Sequence, residues 1–391
     1  IGKQIHSWGS VDENSPIDNL NAYDYYYLLL GGSEKKLGAY SLAFDTEIDM
    51  FGTSQLSFVY SPMHNTSRIP INDPDYPIGL PSGSSPSKES VVFNDNTPSE
   101  MSLNLKWSFN FGDISLSQLS FYDRIFNLSA LTAYTNTSGD KFSVYPRYSY
   151  RHTDVSNIGM VFLADDFTLS FDHAKFMTRD QNILEDFEDL LNPEANYDPN
   201  YPLSGIETTE TLFNHAFEET VVYYQTAIQF EMPLENNYII NAQYFKYEID
   251  SYKANEFDAS CDALTNLPDF TEADCADIEE ELGFSLDDFT IQNLFIPGVG
   301  TPYGLITDEG FLFNLEKEFP DYDLTIDISA FLDATGGNGR LLSFEAEYDL
   351  GESFEVSIGM TKIFGDDNIE NYNFNNMKSF SSFRSRITYY F

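Results

Sequence analysis

The sequence predicts an all-β protein: a transmembrane, antiparallel, up-and-down β-barrel of about fourteen strands, with long extracellular loops that carry short helices. Three observations predict it. Apolar and polar side chains alternate along runs that reach 10 to 13 residues, the span of a tilted membrane strand and about twice the 5 or 6 of an ordinary sandwich strand. The links between these runs are alternately short and long. Aromatic residues make up 16% of the chain, with 34 Phe and 26 Tyr against 2 Trp, and such rings favour strands and the edges of a bilayer.

Fourteen strands are expected, near residues 1–8, 38–49, 54–63, 100–110, 113–124, 149–163, 166–177, 219–231, 237–250, 305–317, 321–333, 338–349, 353–364 and 380–391. They make residues 1–391 a single domain. In the second, Tyr40, Leu42, Phe44, Ile48 and Met50 alternate with Ser41, Asp45, Glu47 and Asp49. In the fourth, Met101, Leu103, Leu105, Trp107, Phe109 and Phe111 alternate with Ser102, Asn104, Lys106, Ser108 and Asn110. Tyr322, Leu324, Ile326, Ile328 and Ala330 stand against Asp323, Thr325, Asp327 and Ser329 in the eleventh. The twelfth sets Leu342, Phe344, Ala346, Tyr348 and Leu350 against Ser343, Glu345, Glu347 and Asp349. The last sets Phe383, Ile387, Tyr389 and Phe391 against Ser382, Arg384, Arg386 and Thr388. Region 113–165 also permits an additional hairpin, because Pro146, a turn at Asp140 and imperfect alternation interrupt it.

If the last strand ends at the periplasm, the inner links fall at 51–54, around Gly112, and at 164–165, 233–236, 319–320 and 351–352, all short. The outer links are 9–37, 64–99, 125–148, 178–218, 251–304, 334–337 and 365–379, all long but one. Two of them carry helical signals. Ile183, Phe187, Leu190 and Leu191 form an apolar stripe that stops before Pro193, and Thr271 with Asp274 forms a capping box for a helix ending at Gly283. Such helices constrict or cover a barrel mouth, or simply give a long loop internal structure.

Composition narrows the function. The formal charge is −43, from 63 acidic and 20 basic residues, which makes nucleic acid a poor partner. The acidity is compatible with solubility in salt and with carboxylates that line a pore. No run approaches the roughly 18 to 20 apolar residues of a membrane helix, and mean hydropathy is −0.32, which excludes a helical membrane protein and leaves a barrel open. Cys261 and Cys275, 14 residues apart in one polar segment, suit a local disulfide in an oxidising compartment, with free thiols as the alternative. The first residue is Ile and no signal peptide is visible, as expected for a mature or truncated chain.

Two segments carry a resemblance. Ile1-Gly-Lys-Gln-Ile-His-Ser-Trp-Gly9, then Pro16-Ile-Asp-Asn-Leu-Asn-Ala-Tyr-Asp24, resembles the Gly-Arg-Gln, Trp-Gly and Asn-Pro-x-Asp opening of a poorly characterised family of proteobacterial outer-membrane porin-like proteins. Leu56-Ser-Phe-Val-Tyr-Ser-Pro62 and Ser67-Arg-Ile-Pro70 are similar to the strand and loop that follow in that family. Lys3 replaces the usual Arg, and Ala22 and Tyr23 depart from the pattern; the likeness covers the first 70 residues. It implies a barrel in the outer membrane of a Gram-negative bacterium, contact with outer-membrane lipid and lipopolysaccharide, and transport without naming a solute. Because the motif follows earlier strands in the family, it also allows a native barrel of sixteen. The terminal Phe391 resembles the closing aromatic of such barrels, which is read by the barrel-assembly machinery.

No enzyme is expected. The five histidines form no His-Glu-x-x-His pair or His-x-Ser-Asn strand, and neither a Gly-x-Ser-x-Gly elbow nor a P-loop is present. No cofactor or metal site follows, and Asp165-Asp166, Asp287-Asp288 and Asp366-Asp367-Asn368 read as solvated turns. The informative charges are those of the strands. Asp45, Glu47, Asp49, Lys106, Asp323, Asp327, Glu345, Glu347, Asp349 and Glu355 are expected to point inward, with Arg384, Arg386, Arg147 and Arg151 as a basic counterpart. A charge on the lipid side would cost roughly 2 to 4 kcal/mol at the midplane. The expected function is therefore a porin-like channel for passive diffusion of small polar or charged solutes, cation-preferring. The alternatives are a binding, adhesion or structural barrel with a closed lumen, and a channel for hydrophobic solutes. A homo-oligomer is compatible with this, although the outward positions read as uniformly apolar and offer no protomer seam.

Overall fold

The computed structural model describes residues 1–12, 14–28, 35–49, 52–69, 91–92, 98–136, 142–181, 209–266, 271–282, 285–351, 353–369 and 372–389. Fourteen strands form its main sheet. They are β1 (Gly2–Gln4), β2 (Ala39–Asp49), β3 (Thr53–Ser61), β4 (Glu100–Phe109), β5 (Gly112–Tyr122), β6 (His152–Leu163) and β7 (Thr168–Arg179). There follow β8 (Thr220–Leu234), β9 (Tyr238–Lys253), β10 (Glu309–Phe319), β11 (Leu324–Asp333), β12 (Arg340–Leu350), β13 (Phe354–Phe364) and β14 (Ser382–Tyr389). Each strand pairs antiparallel with the next in this order. Among the described residues no ladder joins the edge strands β1 and β14.

These are the strands read from the alternation, with two differences. The first is cut to three residues, because the chain then leaves the sheet and turns inward. The interrupted region does hold an additional hairpin, Asn127–Asn136 with Phe142–Ser149, but it lies in a separate four-stranded sheet with Thr209–Ala216 and Val91–Val92. Arg147 belongs to this second sheet, opposite Ala130, and not to β6. Phe391 and the stripe at Ile183–Leu191 lie outside the described residues.

Tight turns and long loops stand at opposite ends of the sheet, and the turns have identifiable chemistry. Asn236 and Asn237 adopt φ of 63° and 59°, a left-handed conformation that asparagine tolerates. Gly112 has φ 143°, and a Cβ there would fall 1.8 Å from the carbonyl oxygen of Val161, so only glycine lets β5 approach β6 at the turn end.

The two faces are inverted relative to a water-soluble sheet. The outward side chains of β2 and β4 include Tyr40, Leu42, Phe44, Met101, Leu103 and Phe109, all solvent-exposed, as are Phe311, Phe344, Ile358, Phe383 and Ile387. The opposite face buries Ser41, Ser57, Ser102, Asn104, Ser115, Asn157, Asp172, Gln225, Gln229 and Gln243. An exposed apolar face opposite a buried polar one reverses the usual distribution of a water-soluble protein.

Inside, the loop-end half is packed. Phe121, Val155, Phe176, Tyr223 and Tyr247 of β5–β9 form one apolar cluster with Val299, and Phe176 stacks on Tyr223 at 4.5 Å between ring centroids. A second cluster joins Val11, Tyr23, Phe245, Tyr303, Phe331, Leu341 and Phe374. Val11 and Tyr303 come from irregular segments yet pack among residues of β9, β11 and β12, which requires the sheet to curl around them. The longest loop is tied by a Cys261–Cys275 disulfide, Cα atoms 5.9 Å apart, and by the helix Glu272–Leu282, where Thr271 and Asp274 exchange capping hydrogen bonds.

Candidate functional site: an acid-lined chamber beneath a packed plug

Two segments outside the main sheet, residues 5–25 and 295–307, occupy the interior. Asp172 of β7 is the main hold on the first. Its carboxylate accepts from the backbone N–H of Ser10 at 2.9 Å, of Val11 at 2.9 Å, and from the Ser15 hydroxyl at 2.6 Å. Gly159 on neighbouring β6 makes room: a Cβ there would meet Ser10 Oγ and Ser115 Oγ, each at 2.6 Å. One step along, the backbone N–H of Asp12 donates to Gln229 Oε1 at 2.8 Å, and Gln229 Nε2 returns a bond to Asp12 Oδ2 at 2.6 Å. The second segment is laced to the first. Gly300 N donates to Asn19 Oδ1 at 2.8 Å and Tyr303 N to Asn14 Oδ1 at 3.2 Å, while Thr301 N reaches Gln225 on β8 at 2.7 Å.

Two buried arginines clamp this plug. Arg124, beyond β5, donates to Glu100 at 2.7 Å and to the carbonyls of Asn19 and Leu20 at 3.3 and 3.2 Å, and its own N–H bonds Gly298 O at 2.9 Å. His64 bonds the same Glu100 at 2.8 Å, and burial holds its imidazole below the ordinary value against the pull of that carboxylate. Arg151 is 1% exposed, so the residue expected to line a wet wall is instead an anchor. It bonds Asp123 at 2.9 Å, Glu219 at 2.5 Å and the carbonyl of Ile296, and lies over the Phe295 ring at 4.5 Å. Arg151→Met is expected to leave two buried carboxylates without their cation and to cost about 3 to 5 kcal/mol of local stability. Faster hydrogen exchange at residues 123–125 and 296–300 checks it; unchanged protection would show that the clamp is dispensable.

Asp180, just past β7, completes this cluster. It accepts from Asn127 Nδ2 at 2.5 Å and from the Glu219 N–H at 3.1 Å. Burial first, and Glu219 second, hold its carboxyl up at about 7 against the pull of Arg151. A carboxyl that binds its proton more tightly when folded contributes stability that is full below about pH 4 and is lost as pH rises through about 7. The link between the main sheet and the second sheet is therefore expected to loosen between about pH 4 and 7, read as rising exchange at residues 127–129 and 216–219. Asp180→Asn should flatten that dependence.

Towards the turn end the interior opens into a chamber of about 430 Å³. Asp12, Glu231, Glu316, Asp327 and Glu345 line it, with Lys35 as a basic member. Register places these side chains on one face: Glu316 pairs with Asp327, and Asp327 with Glu345. Asn314 donates to Asp327 at 2.7 Å.

The expected pore residues divide accordingly. Asp327 and Glu345 line the chamber. Glu347 and Asp349 continue the same face of β12, opposite Ser357 and Glu355. Arg384 bonds Glu345 at 2.5 Å, and Arg386 reaches Glu355 at 3.4 Å and Glu347 at 3.9 Å, so acid and base stand together on the three strands β12 to β14 and not on opposed walls. Asp45 and Glu47 share the face of buried Ser41 and are exposed, and Asp49 closes the β2–β3 ladder opposite Thr53. Lys106 bonds Asp113 at 2.8 Å. Asp323 is not in a strand: it is the left-handed residue, φ 47°, that ends the turn between β10 and β11. Sequence reasoning missed Asp172, Arg124, Glu231 and Glu316. The polar inward residues of β7 to β10 were the available signal for all but Arg124.

No protein-family model matches the chain, and no curated protein matches it by sequence. Among solved structures it is similar to OccK8 (OprE) of Pseudomonas aeruginosa, at 9% identity over 86% of this chain and 79% of that one, TM-score 0.28. It is likewise similar to OccK9 (OpdG) of the same organism, at 8% identity over 95% and 94%, TM-score 0.27. Superpositions this loose add nothing to the fold assignment, which rests on the strand pairing.

Proposed function

We propose that the sheet closes into an outer-membrane barrel of a Gram-negative bacterium and works as a passive, cation-preferring channel for small polar or charged solutes. The observation that carries this reading is the inversion of the sheet: an apolar exterior around a chamber whose carboxylates outnumber its basic groups. Carboxylates in a narrow, low-dielectric path raise the local concentration of cations and exclude anions. In this reading Asp45, Glu47, Asp49, Lys106, Glu231, Glu316, Asp327, Glu345, Glu347, Asp349, Arg384 and Arg386 border the path. The exterior lies against lipid and lipopolysaccharide, and the closing strand is handed over by the barrel-assembly machinery. One observation favours a second reading: the loop-end half is filled by a hydrogen-bonded plug, as in a binding or adhesion barrel with a closed lumen. Single-channel recording in planar bilayers separates them. An ohmic current whose reversal potential follows the cation gradient supports the channel. Absence of current from protein that has inserted, with heat-modifiable gel mobility as the check, leaves the closed barrel.

A further inference from the structure

The chamber is layered, and its layers favour different chemistry. Register sets its wall in rows across β8 to β12. The row against the plug holds Gln229, Gln243, Leu312, Phe331 and Leu341. The middle row carries Glu231, Asn241 and Asn314, and the row nearest the turns carries Glu316, Asp327 and Glu345. Neighbouring rows are about 7 Å apart along the strands, so the apolar and acidic rows stand about 13 Å apart. Two plug residues complete the enclosure. The ring centroid of Tyr303 lies 4.8 Å from that of Phe331, and Asp12 engages both ends of the Gln229 amide.

Three features of this arrangement converge on one kind of molecule. The negative charge is not cancelled. Arg384 is paired with Glu345, and Lys35 lies among the carboxylates, but among the described residues no basic side chain is paired with Glu231 or Glu316. The acids are also too dispersed for a metal ion, which draws several oxygens to within about 2 to 2.6 Å of one point. Among the described residues no three acidic side chains converge in that way. An ammonium group, which carries its donors on an organic stem, suits carboxylates spread over three strands. Last, Gln243 is 5% exposed, and its amide nitrogen is buried without a hydrogen-bond partner, while its neighbour Gln229 is already engaged by Asp12. A buried donor is costly to leave unpaired. This one shares its row with Leu312, Phe331 and Leu341, so its natural partner is an acceptor carried on an apolar body.

We infer that the chamber is a binding site for an organic amine with an apolar, acceptor-bearing body. The body lies on Leu312, Phe331 and Leu341 beneath Tyr303, its acceptor meets Gln243, and the ammonium reaches Glu231 and Glu316. The chamber of about 430 Å³ falls within the range of small-molecule pockets, roughly 300 to 1,000 Å³. Because Asp12 and Tyr303 belong to the plug and the other contacts to the wall, the ligand bridges the two and holds the plug in place. The inference rests on the acid-lined interior of the channel reading, and its test separates the two. The full chain in detergent is titrated by calorimetry with para-methoxyphenylbutylamine. Saturable binding to one site is expected, weaker by about tenfold or more for n-butylamine, for butane diamine and for the carboxylic acid of the same skeleton. Glu231→Gln together with Glu316→Gln should weaken it by a similar factor, with heat-modifiable mobility retained. Gln243→Leu should abolish the advantage of the methoxy compound over phenylbutylamine. Bound amine should also slow hydrogen exchange at Val11, Asp12 and Tyr303. Equal binding of n-butylamine and the aromatic amine, or binding that ignores the two amide substitutions, overturns the site and leaves the channel reading to its conductance test. A chain that binds the amine in this pattern but passes no current keeps the site and overturns the channel.

Discussion

Asp172→Ala should raise single-channel conductance several-fold. The carboxylate holds two backbone N–H groups and one hydroxyl of the plug, at 2.9, 2.9 and 2.6 Å. Each buried donor left unsatisfied costs about 1 to 3 kcal/mol, so the segment around Ser10 to Ser15 gains more by moving to water than by staying. The remaining holds are the Asp12–Gln229 pair, the bond from Tyr303 N to Asn14 and, nearer the end, Arg124 on the carbonyls of Asn19 and Leu20, so the expected product is a loosened, tethered flap and not a lost segment. Asp172→Asn keeps one acceptor oxygen and should fall between. Conductance equal to that of the parent in both variants would show that ions take a route the plug does not obstruct.

The second large effect concerns sign. Replacing Glu231, Glu316 and Asp327 by their amides removes three of the five chamber carboxylates and should move the reversal potential most of the way to zero, a several-fold drop in cation-to-anion permeability ratio. Arg384→Gln tests the same idea in the opposite direction. It releases Glu345 from its 2.5 Å ion pair, and cation preference should rise. Selectivity that ignores both changes would place the narrowest point elsewhere, for example between Lys106 and the carboxylates of β2.

What was legible beforehand follows from periodicity. A residue on a strand declares its face by parity, so Lys106, Asp327, Glu345, Arg384 and Arg386 could be assigned a face without coordinates, and strand length and spacing pointed to the one fourteen-stranded sheet that is observed. Parity fails where the backbone leaves the strand. Asp323 has the right parity but sits in a turn, and Arg147 belongs to a hairpin in another sheet. Arg151 precedes its strand by one residue, and what buries it is a loop far along the chain at Ile296. Irregular segments hold themselves by single side chains on backbone N–H groups, and that chemistry has no repeat to detect.

The plug also carries information about time. Its first segment is made well before its partners, which lie 162 residues on at Asp172 and 289 on at Tyr303. Loop closure over such separations is slow and cannot precede the arrival of the later residues. The full set of plug contacts thus cannot form until Asp172, Gly300 and Tyr303 have been made, which places its completion after synthesis of β1 to β9. A chain cut off before residue 300 would accordingly leave its first plug segment without the Gly300 and Tyr303 partners that lace it to the second.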